Sequence, residues 1–382
     1  MTAICIAHGG DLGEPNGGTD RVSAVATGLD ERGHDVTIVA PVPGGPLPNS
    51  LDEDVSLETI DLPTHGVSTQ PKRAYYISRK ALAVAAERGA IVQFEHSTLA
   101  GVGTLRGASG FVLDMHDLAF RSPLYGNLPL GSVVQQAIKA LERRAVTRAR
   151  SVIVVSEPMK RAVTEAWSGP SDAVHVVPNG YFPDRVDPYL SVDRVDGRVV
   201  FLGTLHPKID LDAMVSIADL PDVTEFLVIG DGNRRDELER ASDRHDSLTV
   251  TGRLPDAEAF EYVASASVAV NPQLPSELQS MSSPVKLCYY AALGVPAVVS
   301  KGPELTTRLD EAGAAVSVPP GGDVAGAVGR ILRSDDERGR MAERARRVAT
   351  ELTWEQRVEE FAAVHDRLST DTQPRNRSWD AP

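Results

Sequence analysis

The feature that most constrains this chain is an alternation of short Val-, Ile- and Ala-rich runs with longer amphipathic stretches. In the first half the runs fall at residues 3–7, 36–40, 91–94, 111–115 and 152–155. Runs with no polar face must be covered on both sides, so each predicts a buried parallel strand returned by a crossover helix. Helix start signals lie between them, with Thr19 ahead of Asp20 and Ser156 ahead of Glu157, and Gly33 closes the first helix. The pattern restarts after a polar passage from Pro183 to Gly197. A second series follows at residues 199–202, 226–229, 248–251, 268–270, 297–299 and 315–318. The expectation is two α/β domains in tandem, joined through that passage. Ser334 with Glu337, and Thr353 with Gln356, form capping boxes that open two late helices. In open parallel sheets ligands sit beyond the carboxyl ends of the strands, so the residues just after each run matter most.

Composition narrows the function. With 382 residues and 42 % hydrophobic content the chain can bury two full cores. A net charge of −14 argues against a general nucleic-acid binder, which needs a basic face. Cys5 and Cys288 lie far apart within apolar runs, so buried thiols are expected rather than a bridge or metal site. No run approaches the roughly 20 apolar residues of a spanning helix, and the N-terminus lacks signal-peptide character, so a cytoplasmic location is expected.

Several strand ends carry candidate chemistry. The loop of residues 9–18 is glycine-rich and enters a helix directly, which places Gly17 and Gly18 where backbone amides favour an anion. It lacks the dinucleotide G-x-G-x-x-G spacing, so a nicotinamide cofactor is not expected. Asp114-Met-His116-Asp117 follows the fourth run, and Glu95-His96 follows the third. Each offers a histidine beside a carboxylate for hydrogen-bonding a sugar hydroxyl or sharing a proton. In the second half Gly203-Thr204 leads to Lys208. Later, Ser283-Pro284-Val-Lys286 opens a helix in a chain with only seven lysines. A lysine in a helix's first turn opposes the macrodipole unless an anion lies nearby, so Lys286 reads either as a phosphate ligand or as a solvated surface charge.

These strings together resemble the GT-B-fold retaining glycosyltransferases of glycosyltransferase family 4. The resemblance runs through Gly17-Gly-Thr-Asp-Arg21, Arg32-Gly-His-Asp-Val-Thr37, Ser151-Val-Ile-Val-Val-Ser156, Val177-Pro-Asn-Gly180, Ile229-Gly-Asp-Gly232, Gly294-Val-Pro-Ala-Val298 and Thr353-Trp354-Glu355. It implies two Rossmann-like domains with a cleft between them, and sugar transfer from a nucleotide-diphosphate donor to a carbohydrate or lipid-linked acceptor. Configuration would be retained, with neither metal nor cofactor required. Residues 1–190 would bind the acceptor through Glu95 and His96, with His116 and Asp117 as the catalytic pair. Residues 191–352 would bind the donor, residues 353–368 would cross back as a helix anchored by Trp354, and 369–382 would be a disordered tail. Donor phosphates would meet Gly17, Gly18, Gly203, Thr204, Lys208 and Lys286, and the donor sugar or nucleoside would meet Glu277, Pro284, Tyr289 and Gly252.

The chain also departs from the family pattern. The arginine usual after the second domain's first strand is absent, and the paired glutamates fall on Met281 and Tyr289. A non-catalytic subunit that partners an active enzyme is therefore the alternative reading, with a nucleotide-sugar epimerase behind it. The basic run 139–150, with Ile138, Leu141, Ala145 and Val146 on its apolar side, suggests either a solvated helix face or peripheral contact with the inner face of the cell membrane.

Overall fold

A computed structural model describes residues 2–63, 69–122, 130–167 and 171–370. The chain forms two compact units. The first takes residues up to Asn179 and resumes at Trp354; the second is Gly180–Thr353.

The first unit holds seven parallel strands: β1 Ala3–Ala7, β2 Asp35–Pro41, β3 Ser56–Ile60, β4 Ile91–Phe94, β5 Val112–Met115, β6 Ser151–Val154 and β7 Val174–Val176. They are ordered β3-β2-β1-β4-β5-β6-β7, the reversal on either side of β1 being that of a doubly wound sheet. Two strands lie outside the runs found by hydrophobic pattern. Strand β3 (SLETI) is an edge strand with half-exposed residues and so has no apolar run, and β7 is three residues long. The first helix, Gly17–Asp30, starts two residues ahead of Thr19, because Asn16 is the N-cap: its Oδ1 accepts from the amides of Gly18 and Thr19. Ser334 caps Asp335–Ala349 through the Glu337 amide, and Ser156 Oγ accepts from the Met159 amide.

The helix Trp354–Thr370 belongs to this first unit and packs on Gly17–Asp30. Gly28 makes that packing close, since a Cβ there would lie 2.4 Å from Val358 Cγ1. Phe361, Ala362 and Val364 complete the core around Ile4, Ile6 and Val25. Residues 371–382, most of the expected tail, lie outside the described residues.

The second unit has six parallel strands: β8 Val195–Leu202, β9 Glu225–Ile229, β10 Leu248–Gly252, β11 Ala266–Asn271, β12 Ala297–Ser300 and β13 Ala315–Val318, ordered β10-β9-β8-β11-β12-β13. The polar passage from Pro183, expected as a linker with a boundary near residue 190, instead packs on this unit. Tyr181 N donates to Leu352 O, and Val186 is buried in its core. Proline and aspartate there make the short 3-10 turns Pro183–Arg185 and Asp187–Tyr189, which composition alone reads as linker.

The basic segment 139–150 falls mainly in the helix Gly131–Arg148. Its Ile138, Ala145 and Val146 are buried within the protein, Leu141 is partly buried, and Arg144 donates to Thr104 Oγ1 and O. The apolar side that would meet a bilayer is therefore largely occupied. No helix among the described residues is long and apolar enough to cross a membrane.

Deleting residues 353–382 removes Trp354, Val358, Phe361 and Val364, each at most 2 % exposed. Losing that burial costs at least roughly 5 kcal/mol. The truncated chain is expected to melt on the order of 10 °C lower, or not to fold, by circular dichroism.

Candidate active site

In the first unit the ends of β4 and β5 bring together Glu95, Asp114 and His116. His116 Nε2 lies 3.3 Å from Asp114 Oδ2 and 3.4 Å from Glu95 Oε2. Both carboxylates are buried, while the histidine is about a quarter exposed. Behind Asp114 stands Arg21, 1 % exposed, donating from Nε (2.7 Å) and Nη2 (2.8 Å) to the two carboxylate oxygens. Its Nη1 donates to Val177 O and Asn179 Oδ1, and its guanidinium lies over the Phe361 ring. Glu95 is held by Gln93 Nε2, whose amide oxygen meets His365 Nε2 at 2.7 Å.

The electrostatics follow from these contacts. Burial alone would lower the His116 pKa, but Asp114 and Glu95 raise it to about 9. Burial would raise Asp114, but Arg21 and His116 hold it at about 2. At neutral pH His116 is thus an imidazolium, suited to donating a hydrogen bond to a sugar oxygen rather than to abstracting a proton. Glu95, Asp114 and His116 could also present three ligand atoms within 4.8 Å of one another. The set fits a cation poorly, because both Asp114 oxygens already accept from Arg21 and His116 is charged.

Asp117 stands beside His96. Its Oδ1 lies 3.4 Å from His96 Nε2, and His96 uses Nδ1 to cap the helix Ser97–Leu105 at the Thr98 amide. Burial opposes protonation of His96, but Asp117 raises its pKa. Gly17 and Gly18 stand in the first helical turn, yet the Gly18 amide already donates to Asn16 Oδ1, so it is not an open anion donor. His8 was not found from sequence. It is 8 % exposed with both ring nitrogens buried and unpaired among the described residues. Burial and the neighbouring His116 lower its pKa to about 3.

In the second unit the strand ends are shaped by glycines. Gly203 after β8 and Gly230 after β9 have φ of +122° and +143°, and a Cβ on Gly230 would fall 2.0 Å from Gly203 O. Gly252 ends β10 at φ +73°, with its carbonyl accepting from Gly230 N and the Arg235 guanidinium beside it. Against Gly203 lies Lys286, in the first turn of the helix Val285–Ala292, whose N-cap position is Pro284. Its Nζ is 2.9 Å from where a Gly203 Cβ would stand and 3.9 Å from the Phe201 ring centroid. Burial first, then Lys208, lowers the Lys286 pKa to about 7. Burial, Lys208 and Lys286 likewise lower His206 to about 4. Gly203, Lys208 and Lys286 therefore share one cationic corner, and Thr204 is exposed beside it. Tyr290, one turn beyond Lys286, accepts from Leu202 N and so ties the helix to the end of β8.

Tyr289 is placed elsewhere. It is buried in the core, 4.8 Å from the Phe260 ring and 6.1 Å from Tyr181. Tyr289 and Tyr290 point about 100° apart on the helix, and Tyr289 is the one that turns onto Phe260 and Tyr181. Glu277 is exposed on the short helix Glu277–Ser280.

The family models match both halves in order: "Glycosyl transferase 4-like domain" over residues 16–180 and "Glycosyl transferases group 1" over 196–334. The chain is a GT-B glycosyltransferase resembling family 4. A phosphatidyl-myo-inositol mannosyltransferase of Mycolicibacterium smegmatis is 27 % identical over 373 residues, covering 93 % of this chain and 91 % of that protein. The sucrose-phosphate synthase structure from Thermosynechococcus elongatus aligns with a TM-score of 0.79 at 17 % identity, over 97 % of this chain and 99 % of that one. Anabaena HepE in complex with UDP-glucose aligns at 0.73 and 15 % identity, over 96 % of this chain and 100 % of that one. These structures establish for the glycosyltransferase a tandem Rossmann-like GT-B fold.

Two tests follow from the buried charges. In Arg21→Met the Asp114 carboxylate loses its counter-charge, at a cost of roughly 3–5 kcal/mol, and adding Asp114→Leu should recover most of it in urea unfolding. His116 has a folded pKa of about 9 against an ordinary 6.5, so its stabilisation is complete below pH 6.5 and lost as pH rises through about 9. The melting temperature should fall over that window, and fall less in His116→Gln.

Proposed function

We propose that the enzyme transfers a glycosyl group from a nucleotide-diphosphate sugar to a carbohydrate or lipid-linked acceptor, with retention of configuration and without a metal ion. The observation that carries the reading is Lys286. Its amino group, only partly charged at neutral pH with a pKa lowered to about 7, lies against a glycine and an aromatic face beside a second lysine, and among the described residues no carboxylate pairs with it. Such a charge is favourable when a diphosphate arrives, because the anion meets the lysine and the helix N-terminus together. Lys208 and the backbone around Gly203 would share that load, and Gly252 and Pro284 would border the nucleoside and sugar. Stabilising the departing diphosphate electrostatically is then the chief catalytic task of the second unit. The first unit would receive the acceptor, with the His116 imidazolium donating to a sugar hydroxyl. The nucleotide-sugar is a co-substrate, and no cofactor is invoked. HepE, solved with UDP-glucose, supports the donor class. The mannosyltransferase named for phosphatidyl-myo-inositol supports a lipid-linked acceptor.

One observation favours a non-catalytic subunit instead. Met281 and Tyr289, where the family's glutamates would stand, carry no carboxylate, and both are buried. Release of nucleotide diphosphate from a donor sugar separates the readings, since a scaffold binds a partner without turnover.

Lys286→Ala should weaken binding of uridine, guanosine or adenosine diphosphate, whichever binds the parent protein. The expected loss is roughly 1.5–3 kcal/mol by calorimetry at fixed salt. The melting temperature without ligand should stay level or rise, and Lys301→Ala should change neither. Equal affinity in Lys286→Ala and parent removes the diphosphate site from this corner. Chelator is expected to leave transfer unchanged; loss of activity restored by Mg²⁺ or Mn²⁺ would overturn metal independence.

A further inference from the structure

Charge is not spread evenly along this chain. Residues 62–150 carry 12 Lys or Arg against 5 Asp or Glu, in a protein of net charge −14. Three of those five acids, Glu95, Asp114 and Glu142, are buried, which leaves Glu87 and Asp117 as the acids of the stretch that reach solvent. Its helices Gln70–Arg88, Ser97–Leu105 and Gly131–Arg148 lie side by side, the middle one packed on both others. The crossovers from β3 to β4, β4 to β5 and β5 to β6 all step the same way along the sheet, so right-handed connections put these helices on one face.

The outer side of Gln70–Arg88 joins charge to exposed apolar surface. Residues 70–86 include no Asp or Glu, while Ala74, Ile77, Ala81 and Val84 turn into the core. Lys72, Tyr75, Tyr76 and Arg79 face outward, about one turn apart. Tyr75 and Tyr76 are 42 % and 39 % exposed, their rings 5.1 Å apart and edge to face. The Arg106 guanidinium lies 5.1 Å over the Tyr75 ring, and Leu105 next to it is 64 % exposed. Lys80 and Arg88 pair with Glu58 and Asp35, but Lys72, Arg79 and Arg106 meet no carboxylate among the described residues. Arg143 and Arg148 add charge on the exposed side of Gly131–Arg148, whose Ile138, Ala145 and Val146 stay in the core. Arg73 turns the other way and donates to Gly9 O at 3.2 Å, which ties the start of Gln70–Arg88 to the loop leaving β1, beside His8 and His116.

A soluble polyanion satisfies the cations but leaves two phenol rings and a leucine in water, and a second copy of so basic a face is repelled. An anionic bilayer surface answers both needs. Its phosphates meet Lys72, Arg79 and Arg106, and its interfacial layer takes amphipathic tyrosines and a leucine. We infer that the outer face of Gln70–Arg88, with Leu105 and Arg106, docks the protein on an anionic lipid surface. On the reading that the acceptor is lipid-linked, docking holds the first unit's strand-end corner where that acceptor lies; the docking itself needs neither donor nor acceptor.

The test is flotation of the full chain with vesicles of phosphatidylcholine, alone or with about 30 % phosphatidylglycerol. At about 0.1 M salt the anionic vesicles should bind at least about tenfold more tightly, and binding should weaken as salt rises. Lys72→Glu combined with Arg79→Glu should weaken it more than about tenfold, since each lipid-facing cation contributes roughly fivefold. Tyr75→Ser combined with Tyr76→Ser should weaken it about tenfold through the lost interfacial rings. All four positions are surface ones, so both proteins should melt as the parent does; Lys301→Glu, at an exposed lysine of the second unit, should bind as the parent does. Equal binding to the two kinds of vesicle, no binding, or parent-level binding after the charge reversal overturns the docking. Parent-level binding after the tyrosine changes, with double-stranded DNA competing equally, hands the face to a soluble polyanion. A dimer in sedimentation that the tyrosine changes dissolve hands it to a second copy.

Discussion

The buried pair of Arg21 and Asp114 is the contact on which the first unit's organisation turns. One guanidinium from the first helix neutralises a carboxylate inside β5 and accepts the geometry of the chain leaving β7 through Val177 and Asn179. It also lies on Phe361 of the final helix. Two charges taken out of water are tolerated only when their hydrogen-bonding capacity is filled, and here four donor contacts fill it. The gain is not chiefly stability. Asp114 kept ionised next to His116 is what keeps the imidazole protonated, so the charge state at the strand end is set from inside the helix.

The second unit solves a different problem, that of bringing backbone and ammonium close together at strand ends. Positive-φ glycines let the chain after β8 and β9 approach to distances no Cβ would allow. Lys286 occupies the space left beside Gly203, and Tyr290 fixes its helix to β8. The cation is thus positioned by what is missing from glycine as much as by contacts of its own.

Much of this was legible in the sequence because buried parallel strands leave an unmistakable apolar run. Ile91–Phe94 and Ala315–Val318 begin and end where the pattern puts them. Lys286 was legible for a related reason, being a rare residue type in an electrostatically unfavourable place. What stayed hidden depends on long-range pairing. Nothing local marks Arg21 as buried among its exposed-looking neighbours, or sets Asp117 beside His96. The direction of Tyr289 was hidden too, since only its packing on Phe260 shows that it turns into the core. The 183–197 passage read as linker because turn residues look alike whether they are solvated or packed.

The position of the helix Trp354–Thr370 has a consequence for the order of assembly. Its Phe361, Ala362 and Val364 are part of the core built around β1, yet they follow the whole of the second unit in the chain. The whole of Gly180–Thr353 is synthesised before them and has every strand of its own sheet in hand. The usual order, in which the N-terminal domain folds first during synthesis, is therefore inverted. The Gly28 side of the first helix stays uncovered until the helix Trp354–Thr370 has been made, whereas the second unit is complete in sequence before then.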